Sequence, residues 1–269
     1  DGLFLHEHGH HCDSSAMMFG NLGESTPNWA GYYMKATNGD FAWKDAEDTH
    51  LSRLLSEEGS HQELKQDGWW TTKYTHYWSY PVTSMMVGYV RGFGWESFKT
   101  VVHRFTLADD PVNQLSMFQN AGTAKRDRAA VDQSKIDKWL IFLSQEAKHD
   151  VRPYFAHFCL RPSVKATSFI DALKLPKWDL VYSPVRRVAV APGQAVTIPS
   201  PVNDARTFAG AVKLAGIAKP QHGTLIAQDG GYVYRADKGY VGEVRIPFQL
   251  SNVYGNTCRG TIRVHVMPD

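Results

Sequence analysis

The spacing of apolar residues in this 269-residue chain changes period once, near residues 180–187, and a run of helices followed by a run of strands reads as a helical domain and then an all-β one. Before the change the spacing is helical. Trp95, Phe98, Val102 and Phe105 share one helical face, and Ile136, Leu140 and Leu143 repeat the pattern within about 132–148. Leu51, Leu54 and Leu55 stripe an otherwise charged segment from about 45 to 64. Thr167 reads as the cap of a short helix running toward Asp171. After the change the period is two. Val188, Val190, Val196 and Ile198 alternate with small or polar residues around a Pro192-Gly193 turn. Tyr232–Tyr234, Val244–Ile246 and Thr261–Val266 read as further strands, with turns at Gly230-Gly231 and Gly255-Asn256. The expectation is a multidomain α+β chain: a mainly helical domain over 1–183, then an all-β sandwich over 184–269.

Composition removes several function classes. Charged residues make up 21% of the chain but nearly cancel, leaving a formal net charge of +2. The basic clusters, such as Lys125-Arg126 and Arg186-Arg187, are short, so no nucleic-acid partner is expected. No apolar run approaches the roughly 18 residues of a transmembrane segment. Cys12, Cys159 and Cys258 include no close pair, which excludes a zinc ribbon and a disulfide scaffold. One disulfide with one thiol left over, in any pairing, stays open.

The residues that carry chemistry lie near the start. His6-Glu7-His8-Gly9-His10 satisfies H-E-x-x-H. On a helix, His6 and His10 stand one turn apart on one face, where two neutral imidazoles can hold one zinc ion. Glu7 sits about 100° round, placed to act on a water beside the metal. Chance supplies roughly 0.02 such matches per sequence of this composition. A histidine-rich surface helix is the competing reading. His8 and His11 lie off the ligand face and read as packing residues or as supports that orient the ligands.

A catalytic zinc needs a third protein ligand. The metzincin pattern requires glycine at position 13 and histidine at position 16, where this chain has Asp13 and Ala16. Beyond Asp13 the nearest acid is Glu24, and a second helix bringing it back onto the first gives a His2Glu site of the gluzincin kind. Pro27 belongs in a helix's first turn, so Glu24 must lie at or just before that helix's start. Asp13, Glu47 and His50 are the alternatives should Glu24 fail.

His6, Glu7, Gly9, His10, Gly23, Glu24 and Asn28 together resemble the motif of the enhancin-type, mucin-degrading zinc peptidases, family M-sixty. That family commonly has asparagine after the second histidine, where this chain has His11. Gly94–Phe98 resembles the family's downstream glycine-tryptophan helix, and Val151–Phe158 its closing segment. The resemblance covers about residues 1–180 and implies the C-terminal part of a zincin catalytic domain, with His6, His10 and Glu24 as ligands to one zinc ion, Glu7 as general base, and Asn28 and His11 as supports. It implies a glycoprotein or mucin substrate and a secreted or cell-surface bacterial setting. The chain opens at Asp1 without a readable export leader, so a fragment or a processed chain is expected, with an N-terminal fragment of the same precursor as partner. Pro220–Leu225, Tyr232–Tyr234 and Gly239–Gly242 are similar to bacterial Ig-like, cadherin-like modules. Glu243 and Ser251-Asn252 replace the acidic positions usual there, so calcium binding is not carried over.

Nine aromatic residues fall between Trp69 and Trp95, more than one helical face can bury. Tyrosine and tryptophan join a flat apolar face to a polar edge, as a sugar ring requires. Tyr74, His76, Tyr77 and Arg91 are the candidates for substrate contact or oxyanion stabilisation. The leading expectation is a secreted zinc endopeptidase that cleaves O-glycosylated, mucin-type glycoproteins. The alternative is a surface glycan-binding or adhesin module whose zinc site is structural or inactive. A zinc hydrolase acting on a non-peptide bond is a third reading.

Overall fold

The structure, a computed structural model, describes residues 17–18, 26–39, 79–119, 128–208 and 210–268. The chain forms two compact units that divide between Trp178 and Asp179, one helical and one of β-strands. The sequence-based boundary at 183–184 falls a few residues further along the chain.

Among the described residues the first unit contains six helices: α1 Thr26–Thr37, α2 Ser79–Arg104, α3 Ser116–Gln119, α4 Arg128–Ala147, α5 Arg152–Ala156 and α6 Val164–Ala172. Helix α2 kinks at Gly94, whose φ of 83° and ψ of 164° suit glycine and end the first helical segment. The segment after the kink carries Phe98 and Val101 inward, and α4 carries Ile136, Trp139, Leu140 and Leu143, all buried. This matches the stripe read over 132–148; over 95–105 Phe98 and Phe105 are buried as the spacing predicts, but Val101 takes the inward place read for Val102, and Trp95 is only partly buried. None of the described helices is long and apolar enough to cross a membrane.

Helix α6 begins earlier than its sequence implies. Ser163, not Thr167, is its N-cap: its hydroxyl accepts the Ala166 N–H at 3.3 Å. Asp137 on α4 selects that start, accepting the Ser163 N–H at 2.7 Å and its hydroxyl at 2.6 Å. Thr167 therefore lies inside the helix.

The second unit holds β1 Arg186–Val190, β2 Ala195–Pro199, β3 Lys213–Ile217, β4 Thr224–Gln228, β5 Gly231–Arg235, β6 Gly242–Ser251 and β7 Thr257–Val266. They form a four-stranded sheet in the order β1-β7-β6-β3 and a three-stranded sheet in the order β2-β5-β4. Strand β1 runs parallel to β7, and the other pairs are antiparallel. Ile198 and Tyr234 of one sheet and Val244, Ile246, Phe248, Ile262 and Val264 of the other share one core. Two facing sheets thus bury their alternate residues between them.

Two polar devices close this unit. The buried carboxylate of Asp179 accepts N–H bonds from Leu180 at 2.8 Å and Phe208 at 2.9 Å, and the Thr207 hydroxyl at 2.9 Å. Its own N–H donates to Asn256 Oδ1 at 2.9 Å, which fixes the start of the unit to the β6–β7 turn. Arg186 is paired in register with the core residue Ile262. Its guanidinium reaches Pro199 O, at the end of β2, at 2.6 Å and pairs with Asp204, so its charge stays compensated.

Candidate functional site

His6, Glu7, His10, His11, Glu24, Tyr74, His76 and Tyr77 lie outside the described residues. Asn28 lies in the first turn of α1, partly buried, and Arg91 lies on α2, exposed, three residues before the kink. Among the described residues no three His, Cys, Asp or Glu side chains come close enough to hold a metal ion.

The structure does define what holds the chain on either side of residues 19–25, the stretch that includes Glu24. On one side, the Trp139 indole N–H donates to the carbonyl of Met17 at 2.7 Å, and Lys135 Nζ donates to the carbonyl of Met18 at 2.6 Å. Both donors project from α4. On the other side, Trp29 of α1 packs edge-on against Trp139, with ring centroids 5.9 Å apart, and edge-on against Phe98 at 5.3 Å. Trp139 in turn lies nearly parallel to Phe98 at 6.1 Å and tilted against Phe105 at 4.7 Å. One indole therefore anchors both neighbours of the Glu24 stretch, by a hydrogen bond on one side and ring packing on the other. The sequence offered α4 only an apolar stripe; nothing in it marks Trp139 or Lys135 as backbone donors.

Helix α1 starts at Thr26, two residues after Glu24, with Pro27 in its first turn, as the proline requires. One turn beyond Trp29, Tyr33 packs against Trp95 at 5.7 Å. Lys99 Nζ, 4.9 Å from the Tyr33 ring centroid, donates to the Tyr33 hydroxyl at 3.1 Å.

The aromatic stretch divides. Within its described part, Tyr89 is fully buried, and its hydroxyl pairs with Ser97 Oγ at 2.7 Å. Burial foremost pushes the Tyr89 phenol up, opposed by that hydrogen bond, so it stays protonated. Phe93 packs on Trp178 at 4.7 Å and on Tyr89 at 4.9 Å. Gly92 gives Trp178 its space, because a Cβ there would come within 2.5 Å of that ring. Tyr89, Phe93 and Trp95 are thus packing residues of the helical unit.

No protein-family profile matches the chain, and no curated protein matches it. Similar solved structures include a functionally unknown conserved protein from Bacillus anthracis str. Ames, 14% identical over 97% of this chain and 51% of that one, with a TM-score of 0.44. They also include IMPa from Pseudomonas aeruginosa in complex with an O-glycopeptide, 15% identical over 68% of this chain and 24% of that one, with a TM-score of 0.48. The chain thus spans about half of the first protein and about a quarter of the second. TM-scores below 0.5 at such identity assign this chain neither fold nor activity.

Proposed function

We propose that residues 1–178 belong to a zinc-dependent endopeptidase that cleaves glycoproteins, O-glycosylated mucin-type chains foremost, outside the bacterial cell. In this reading they form the C-terminal part of a gluzincin catalytic domain, and residues 179–269 form an Ig-like spacer or presenting module. The observation that carries the proposal is the spacing His6-Glu7-x-x-His10 followed by Glu24. Two neutral imidazoles and one carboxylate are a donor set that suits zinc and leaves a coordination position open. A bound zinc ion would supply Lewis acidity, lowering the pKa of a water toward about 7 and polarising the scissile carbonyl.

The chain's own residues supply the rest. Glu7 accepts the proton of the attacking water and delivers it to the leaving amine. His6 and His10 stay neutral to donate nitrogen, and Glu24 adds the compensating charge. Tyr74, His76, Tyr77 and Arg91 are the proposed contacts to the glycan or to the oxyanion, and Asn28 and His11 the proposed supports of the ligands. The intact Glu7 favours an enzyme over an adhesin module, since a structural zinc site needs no base.

Metal analysis tests the ligand set. The chain should carry about one zinc ion, His6→Ala and His10→Ala should each abolish it, and Glu24→Ala should weaken it strongly. Full zinc content in Glu24→Ala would move the third ligand to Asp13, Glu47 or His50.

A further inference from the structure

Strand register places three arginines in one row on the outer face of the four-stranded sheet. Arg187 of β1 is paired with Arg263 of β7, and Arg263 with Arg245 of β6. The rows on either side point inward: Val188, Val264 and Val244, and Arg186, Ile262 and Ile246. The alternation therefore turns all three guanidiniums to the solvent face. Arg259, four residues before Arg263 on β7, lies on the same face and opposite Gln249. The row spans about 10 Å across three strands, and Arg259 extends it about 14 Å along β7.

Like charges directly opposite each other across strands cost stability. The packing of the sandwich does not require them. Among the described residues of this face the one carboxylate is Glu243, and Arg245 Nε already holds it at 2.5 Å. The surrounding field registers on that group. The hydrogen bond from Arg245 foremost, then the charges of Arg245, Arg263 and His265, hold its carboxyl below the usual range. Ala189, Thr261 and Pro247, the residues directly beside the row on this face, are small; Arg187 and Arg245 are exposed and Arg263 is partly exposed. The wider unit agrees: residues 179–269 hold ten Lys and Arg against six Asp and Glu, net +4, while the whole chain is only +2.

We propose that this face docks a sulfated glycan chain, gripped by Arg187, Arg245 and Arg263, with Arg259 lengthening the track. Charge complementarity identifies the class. Guanidinium presents a planar fork of weakly hydrated donors that matches the paired oxygens of an oxyanion. Neighbouring strands lie about 4.8 Å apart, so positive charge recurs at about the length of one sugar ring. Single-stranded nucleic acid binds on aromatic platforms, and the outer positions of β1, β6 and β7 carry no Phe, Tyr or Trp, the single imidazole of His265 lying beside Glu243. A membrane-docking face would put large apolar side chains among the cations, and these positions have none. The proposal does not depend on the zinc reading.

Binding of a sulfated glycosaminoglycan octasaccharide to the full chain at about 0.15 M salt is the test, with a chelator present so that metal chemistry plays no part. The R187S/R245S/R263S variant should lose about tenfold or more in affinity and melt within a few degrees of the unaltered protein. Removing three charges elsewhere, as K219S/R235S/K238S, should cost less than about threefold. R187K/R245K/R263K keeps the charge and loses the fork, and should also bind several-fold more weakly. Equal losses in the two serine variants, full affinity in the lysine variant, or tighter binding to phosphatidylserine vesicles or to single-stranded DNA would overturn the proposal. Failure here leaves the peptidase reading untouched, since that stands on zinc content and cleavage.

Discussion

Trp139 and Met17 are joined across 122 residues of sequence by one hydrogen bond, from the indole N–H to a buried main-chain carbonyl at 2.7 Å. The same ring packs against Trp29, so the chain on both sides of residues 19–25 is tied to α4 through one side chain.

Trp139→Phe keeps an aromatic ring in the cluster and removes the N–H, leaving the Met17 carbonyl without that donor. The expected loss is about 1–3 kcal/mol in urea denaturation. If this tether positions the Glu24 stretch for zinc, chelator competition will also show weaker metal binding in the variant. A loss of stability without any change in zinc affinity would limit Trp139 to a packing role.

Asp110 makes part of the helical unit acid-sensitive. Burial is the largest influence and by itself would raise its pKa. The Arg104 hydrogen bond at 2.8 Å, the Val112 N–H at 2.9 Å and the arginine's charge together outweigh burial, so the carboxyl titrates below its ordinary value. A group depressed in the folded state contributes stability above its unfolded pKa, about 3.9, and loses it as pH falls through the folded value. Asp110→Asn should therefore be less stable than the unaltered chain at pH 6, and the gap should narrow below about pH 4. The same gap at both pH values would show that the carboxylate's charge contributes nothing.

Gly260 faces Phe248 in the β6–β7 register, and a methyl group on it would overlap the ring. Both backbones are fixed in the sheet, so Gly260→Ala should overpack the sandwich by about 1–3 kcal/mol. Thermal unfolding checks this, and an unchanged melting temperature would mean that the Phe248 ring turns aside at no cost.

Periodicity predicted the elements whose apolar faces are buried. Strands β1, β2, β5, β6 and β7 lie where alternation placed them, and α4 lies on the stripe of Ile136, Leu140 and Leu143. Strands β3 and β4 leave no clear alternation in the sequence because neither carries a fully buried residue, and the β3 register shifts between Leu214 and Gly216, which breaks the two-residue period. Sequence alone cannot place the cap of α6, because a Thr167 hydroxyl is as suitable as that of Ser163; the choice is made by Asp137, far away in sequence. The arginine row was invisible for a related reason. Arg187, Arg245 and Arg263 become neighbours only through strand register. The candidate zinc site lies outside the described residues: His6, His10 and the base Glu7 rest on their local spacing, and Glu24 on its position together with the family resemblance.

The central claim is that Glu7 acts as a base beside a zinc ion held by its neighbours. Cleavage of an O-glycosylated mucin peptide by a form that carries the whole of the proposed catalytic domain, and by its Glu7→Gln variant, with zinc measured in both, tests it most directly. The substitution removes the proton acceptor and leaves His6, His10 and Glu24 in place, so Glu7→Gln should retain about one zinc ion per chain and lose most of the turnover, about a hundredfold or more. Equal turnover in the two proteins, each with zinc bound, would contradict the claim.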